Sequence, residues 1–310
     1  MEANKKKIIG LSCGRKNGNS EILLKEACMG AEELGVESEI IRAMELRIRP
    51  CRGCESCSMA FGQGKEPRCA IKDDDVPWIL EKTCLEDCGL IVSVPTYHLR
   101  ANGYFEIIAE RLLPTMLGSN LRILKKTRVG AIICVGGGEF DWTSLALTTV
   151  NIFVQHTRLV VDQIQVNGAG APGSVLMNEK SLKRARELGR NVARAMMKPI
   201  EEAEFVGDET AVSCPVCHCN VLQVPEKLPD VYCPVCWIHG VISGDGDKMK
   251  VNWNEEDAQH PRFSEYGVSK HMEEVGMKHR KFFGEDQAKA RELIKKYISY
   301  GRIVKPDAST

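Results

Sequence analysis

The chain has 310 residues, with 42 Lys and Arg against 42 Asp and Glu; 43% of residues are hydrophobic and 27% are charged. A formal net charge of zero argues against broad electrostatic capture of nucleic acid or an anionic membrane. No apolar run approaches the ~20 residues that span a bilayer. What remains is a globular chain with room for one large domain or two modest ones.

The chain opens on Met1-Glu2-Ala3-Asn4 and three lysines, then runs directly into a strand-like segment. With no apolar leader region, a cytoplasmic protein is expected. In a reducing compartment, clusters among its 14 cysteines signal metal or redox chemistry, not disulfides. Nine fall into two clusters. Cys13, Cys28, Cys84, Cys88 and Cys134 are scattered and read as small buried hydrophobes, with Cys13 lying inside a loop of interest.

That loop follows a first strand over 5–11 and precedes a helix over 20–34. It reads Ser12-Cys13-Gly14-Arg15-Lys16-Asn17-Gly18-Asn19-Ser20. A glycine-bearing loop entering a helix directs backbone N–H groups at one spot where the helix dipole is positive, which suits a phosphate monoester. It is neither the P-loop nor the three-glycine dinucleotide pattern, and an ordinary capped turn is the competing reading.

A second strand is expected at 36–41, followed by a cysteine-rich loop from Pro50 to Cys69. The acids of Lys72-Asp73-Asp74-Asp75 sit at the start of a helix over 76–86 and read as a cap in preference to a metal site. Continuous apolar runs at 88–94 and 129–135 suit central parallel strands. Helices over 103–113 and 143–155, a fifth strand at 159–166 and a long helix over 179–197 complete the alternation. Five strands alternating with five helices make an α/β fold, a doubly wound parallel sheet.

Such sheets bind ligands beyond the carboxyl ends of their strands. Loops 12–20, 95–103 and 136–143 all lie there. The first takes a phosphate. Pro95, Thr96 and Tyr97 flank a flat ring from one side and Gly136, Gly137 and Gly138 from the other, with Tyr97 and Trp142 available to stack on it. Tyr97 and His98 are the candidate catalytic side chains. The remaining histidines read as surface or satisfied residues.

The compact spacing Cys51-x2-Cys54-x2-Cys57, with Cys69 after 11 more residues and Gly53 easing the turn, is typical of iron–sulfur ligation, with zinc or free thiols as alternatives. Farther on, Cys214-Pro-Val-Cys217 and Cys233-Pro-Val-Cys236 form two knuckles 15 residues apart. This is a tetrahedral thiolate frame shared by zinc ribbons and rubredoxin-like iron modules, and structural zinc is preferred. His218 and Trp237 stand where rubredoxin knuckles usually carry glycine; His218 and Cys219 are read as non-ligands.

On these pieces residues 1–199 resemble the flavodoxin-like NADPH-dependent FMN reductases, specifically the iron–sulfur flavoproteins. The pieces are loop 12–20, the Pro50–Cys57 stretch, Cys69-Ala-Ile-Lys-Asp-Asp74 and Val94-Pro-Thr-Tyr97. The resemblance implies a five-stranded flavodoxin-like sheet. FMN would be held by Ser12, Gly14, Arg15, Asn17, Gly18, Asn19 and Ser20 at its phosphate and by the 95–97 and 136–142 loops at its ring. It also implies a 4Fe–4S cluster at Cys51, Cys54, Cys57 and Cys69, a ferredoxin or nicotinamide electron donor, and a homo-oligomer. The interval between Cys57 and Cys69 is longer than in the family's cluster-binding form.

The organisation expected is a flavin domain over 1–200, a four-cysteine module over 205–245 holding zinc or iron, and a helical extension over 246–310 with helices near 265–280 and 285–300. The function expected is an FMN-dependent oxidoreductase acting on a small organic substrate, quinone, dioxygen or peroxide. An electron-transfer flavoprotein without its own substrate and a non-enzymatic zinc-ribbon protein are the alternatives.

Overall fold

The structure is a computed structural model that describes residues 6–117, 124–245, 248–298, 300–301 and 304. In chain order it builds β1 (Lys7–Ser12), α1 (Asn19–Glu32), β2 (Glu37–Arg42), α2 (Ser56–Gly62), α3 (Val76–Leu80), β3 (Gly89–Tyr97), β4 (Arg100–Ala101), α4 (Gly103–Glu110), α5 (Leu113–Met116), β5 (Val129–Val135), α6 (Ala146–Gln155), β6 (Leu159–Val166) and α7 (Glu179–Met196). A second set follows: β7 (Asp230–Tyr232), β8 (His239–Asp245), β9 (Lys248–Trp253), α8 (Glu255–Gln259), α9 (Glu265–Lys281) and α10 (Gln287–Ile298). The chain divides into two compact units, residues 1–267 and 268–310. Within the first, the four-cysteine frame continues through β9 to Phe263, which packs among the four cysteines' neighbours.

The main sheet runs β2-β1-β3-β5-β6, all parallel, with β4 turned back antiparallel on β3. This is the flavodoxin strand order, whose winding reverses between β1 and β3. Alternate residues of each strand enter opposite layers. Leu90, Val92 and Val94 face α3, α4 and α6 through Ile79, Phe105, Ile108, Val150 and Phe153. Ile91, Ala131 and Ile133 face α1 and α7 through Leu23, Leu24, Ala27, Leu188 and Val192. Burial on both faces is why β3 and β5 read as unbroken apolar runs. Cys13, Cys28, Cys84, Cys88 and Cys134 are core residues as expected, and Cys13 is fully buried.

The acid run does not cap α3. Asp75 stands at the N-cap position without a side-chain cap bond. The carboxylates instead hold the far end of the cysteine loop: Asp75 accepts from the backbone N–H of Arg47 at 2.8 Å, Asp74 from that of Arg49 at 3.0 Å, and Asp73 pairs with the Arg49 guanidinium at 2.7 Å. An acid beside an arginine-rich segment gains more from a charge-assisted bond than from a helix end. Among the described residues no helix is long and apolar enough to cross a membrane.

Candidate active site and metal centre

The polar loop between β1 and α1 is built by long-range bonds. Cys13 N–H donates to the Ser93 carbonyl at 3.0 Å, Ser93 Oγ donates to the Ser20 carbonyl at 2.8 Å, and Asn102 Nδ2 donates to the Cys13 carbonyl at 2.7 Å. Asn17 takes a left-handed φ of 55° and accepts from Lys25. Asn19 has a role the sequence did not disclose. Its amide donates to the carbonyls of Ala169 and Ala171, both at 2.9 Å, and its Oδ1 faces the Val175 N–H at 3.3 Å. One side chain therefore ties the loop after β6 to the loop after β1.

Together these segments enclose a pocket of about 270 Å3 at the carboxyl ends of the strands. Its wall includes Gly14, Arg15, Gly18, Asn19 and Ser20, then Pro95, Thr96 and Tyr97, then Gly137. All of these were picked from sequence. Ser12, Asn17, Gly136, Gly138 and Trp142 stand outside the wall. Gly136 and Gly138 serve close packing, since a Cβ would meet Thr143 and Trp142 at 2.4 and 2.6 Å. Trp142 is largely exposed. Missed from the wall are Val135, at the end of β5, and the stretch Ala169, Gly170, Ala171 and Pro172. The only signal of that stretch was its glycine- and alanine-rich composition after a strand.

The pocket fits a phosphorylated flat ring on three counts. Among the described residues Arg15 is the single charged one in its wall. The Thr96 hydroxyl is buried there without a partner. Gly14 and Gly137 leave no room for a Cβ, which would lie 2.1 Å from Ser20 Oγ and 2.9 Å from Gly170 Cα. Tyr97, half exposed, stands at the rim, at the start of a two-residue hairpin turn. His98 and Leu99 form that turn, both left-handed with φ of 47° and 73°. This type I′ geometry normally calls for Asn-Gly, so the turn stores strain beside the pocket.

The cysteine-rich loop is clamped at its base. The guanidinium of Arg111, 2% exposed, pairs with Asp74 and donates to the carbonyls of Arg49 and Ile71 and to Cys69 Sγ at 3.4 Å. Gly53 and Glu55 take left-handed φ of 60° and 55° just ahead of α2, which carries Cys57. A hydrogen bond with Ser56 lowers the Cys54 thiol pKa. These four sulfurs are not gathered as tightly as ligands of one ion, whereas a cubane cluster spreads its thiolates more widely.

Cys214, Cys217, Cys233 and Cys236 are so gathered: all four are buried, with sulfurs within 4.8 Å of one another. The two knuckles repeat one design. His218 N–H donates to the Cys214 carbonyl and Trp237 N–H to the Cys233 carbonyl, both at 2.8 Å. His218 and Trp237 take left-handed φ of 59° and 58°, which explains the glycine usual at that place. Stacking holds them there: His218 lies on Phe205 at 3.7 Å and Trp237 on Tyr232 at 5.1 Å. His218 and Cys219 are outside the ligand group, as read from sequence. Mutual crowding pushes the Cys214, Cys217 and Cys236 thiols up and the Cys233 thiol down, because four thiolates cannot share this space without a cation. The module is seated on the main sheet by three amides: Asn151, Gln155 and Gln163 donate to the carbonyls of Cys217, Val216 and His218 at 2.9, 2.8 and 2.9 Å. A second cavity, about 430 Å3, lies along this seam between β6 and the module.

Comparison with known proteins places the chain among relatives. The NADPH-dependent FMN reductase family matches residues 6–173. An iron–sulfur flavoprotein of Methanocaldococcus jannaschii is 30% identical over 199 residues, covering 61% of this chain and 97% of that protein. A flavone synthase of Aspergillus candidus is 27% identical over 292 residues, covering 87% and 88%. The solved structure of a flavone reductase superposes with a TM-score of 0.74 at 25% identity, covering 96% of this chain and all of that one.

Proposed function

Because the chain belongs to the flavodoxin-like NADPH-dependent FMN reductase family and is an FMN-dependent oxidoreductase, we propose that FMN occupies the 270 Å3 pocket and that the acceptor is a flat conjugated ketone of the flavone class. The observation that carries the reading is the pocket itself, in which three loops far apart in sequence supply one arginine, one buried unpartnered hydroxyl and two glycines without room for a side chain. Backbone N–H groups of the 14–20 loop, apart from that of Gly18, which donates to the Arg15 carbonyl, hold the phosphate together with Arg15. Thr96 donates to the ring edge, and Gly137 lets the backbone approach it. Bound FMN supplies reversible one- and two-electron transfer. Tyr97 and His98, on the strained hairpin at the rim, position the acceptor, and one of them supplies the proton that accompanies reduction.

The flavone class enters through the two relatives that match nearly the whole chain, including the region beyond residue 200. Reduction of such a compound adds a hydride and a proton across its conjugated C=C bond, yielding the flavanone. Cys51, Cys54, Cys57 and Cys69 would hold a 4Fe–4S cluster, which would supply single electrons from a ferredoxin, whereas a nicotinamide donor would give its hydride directly to the flavin. The four-cysteine module holds a structural zinc. The enzyme works in the cytoplasm, as a homo-oligomer. Anaerobically purified protein is titrated with FMN and assayed with NADPH and a flavone. One FMN per chain and consumption of the flavone are expected, with broad visible absorption that Cys54→Ala removes. Protein that binds no FMN overturns the reading. Turnover of quinones alone would reassign the acceptor, and a spectrum of flavin only would remove the cluster.

A further inference from the structure

The amino ends of the strands carry a charge cluster of their own. A cavity of about 180 Å3 lies there, beside the starts of β1, β3 and β5, and Lys6, Asp87, Cys88, Arg128, Met196 and Lys198 help to line it. Against Cys88 lies Arg158, fully buried, with Nη2 at 3.7 Å from the sulfur. Among the described residues no carboxylate pairs with either guanidinium. Their donors go to main-chain carbonyls instead. Arg128 donates to Glu86 and, at 2.8 Å, to Cys84; Arg158 donates to Thr157 at 3.1 Å and to Glu86 at 3.4 Å. Two cations thus share the Glu86 carbonyl, while the Glu86 carboxylate is taken by Lys7 and Lys82. Arg158 Nε is buried with no partner.

These bases sit where three helices end. The Cys84 and Glu86 carbonyls close the π-helical turn that follows α3, the Thr157 carbonyl lies just past α6, and the Met196 carbonyl, which accepts from Lys6 Nζ, ends α7. A helix end offers roughly half a negative charge. Three ends and Asp87 therefore offset about two and a half of the four positive charges on Lys6, Arg128, Arg158 and Lys198, and roughly one and a half remain. Burial, and then the neighbouring Arg158 charge, holds the Arg128 pKa down from 12.5 to about 10. Adjacent cations buried without an anion are costly, and a bound anion removes that cost. The excess suits a doubly charged ion, and guanidinium forks match phosphate oxygens. Pockets that enclose drug-sized ligands run to roughly 300–1,000 Å3, so this smaller one has room for a phosphate group and not for a flat ring system beside it.

We propose that this cavity binds a phosphate group, either inorganic phosphate or the end of a phosphate monoester, with Lys6, Arg128 and Lys198 at the anion and Arg158 supplying charge from the core. The site shares no wall residue with the FMN pocket and lies at the opposite ends of the strands, so it stands apart from the flavin reading. The flavin-loaded full chain, freed of excess FMN, is titrated by calorimetry with inorganic phosphate and separately with glycerol 3-phosphate, at constant ionic strength. One anion per chain should bind, with a Kd of a few millimolar or tighter. Arg128→Met should weaken binding by about tenfold. The double variant Lys6→Met, Lys198→Met should do likewise, and because both lysines are exposed the core stays intact. Tighter binding of glycerol 3-phosphate identifies a monoester as the occupant and tighter binding of inorganic phosphate the free ion; either supports the site. No saturation by about 10 mM phosphate, or binding that either variant leaves unchanged, overturns the proposal and leaves the bases as caps of helix ends. Flavin content is read from the visible spectrum of the same samples, so failure of the flavin reading is told apart from failure of this one.

Discussion

A methyl group added at Gly137 would sit 2.9 Å from the Cα of Gly170, backbone that cannot swing aside. Gly137→Ala should therefore spread the two loops and weaken FMN binding by about tenfold, ~1.4 kcal/mol, with little change in melting temperature. Flavin fluorescence titration measures it. His156 makes a different prediction. It is buried, its Nδ1 lies 2.6 Å from the Ile152 carbonyl, and burial holds its pKa down from 6.5 to about 4. As pH falls, the unfolded chain takes up a proton near 6.5 and the folded chain does not until about 4. Stability should fall across that window, by up to about 3 kcal/mol, and His156→Asn should flatten that part of the curve. Urea midpoints of both proteins between about pH 4 and pH 7 test it, and parallel curves would exclude His156 as the cause.

Between elements, α1 and α7 approach closely. A Cβ at Gly30 would lie 2.0 Å from the Arg186 carbonyl oxygen, and one at Gly189 would lie 1.7 Å from that of Ala27. Alanine is the better helix former by up to ~1 kcal/mol, but backbone contact outweighs it. Gly189→Ala should cost about 2–3 kcal/mol, seen as a lowered thermal midpoint. Because α1 begins at the phosphate-binding loop, FMN affinity should fall with it. An alanine variant as stable as the parent would mean the helices separate freely. The hairpin at His98 and Leu99 shows the opposite use of backbone, with side-chain-bearing residues kept in left-handed conformations that glycine would occupy without strain.

At the scale of the whole molecule, the four-cysteine module is tied to the sheet through Asn151, Gln155 and Gln163. Metal bound by its thiolates is folding free energy for residues around 205–265. Cys217→Ser should lower the metal content and open that segment to protease, while FMN remains bound at a pocket built without it. Metal analysis and mass spectrometry of the fragments give the answer, and cleavage elsewhere would show that the module is not the weak point.

Much of this was determined locally. Strand β5 has the bounds its apolar run announces, because a strand buried on both faces reads as apolar throughout. The two Cys-x2-Cys pairs declared a metal site because thiolates at that spacing reach one ion. Tertiary structure decided what depends on partners distant in sequence. It gave the Asn19 side chain the tie to Ala169 and Ala171, set Asp74 on Arg111 instead of on a helix end, and made loop 169–172 a wall of the pocket. Periodicity reports which face of an element is buried. It carries no information about which polar group will arrive from another part of the chain to meet it.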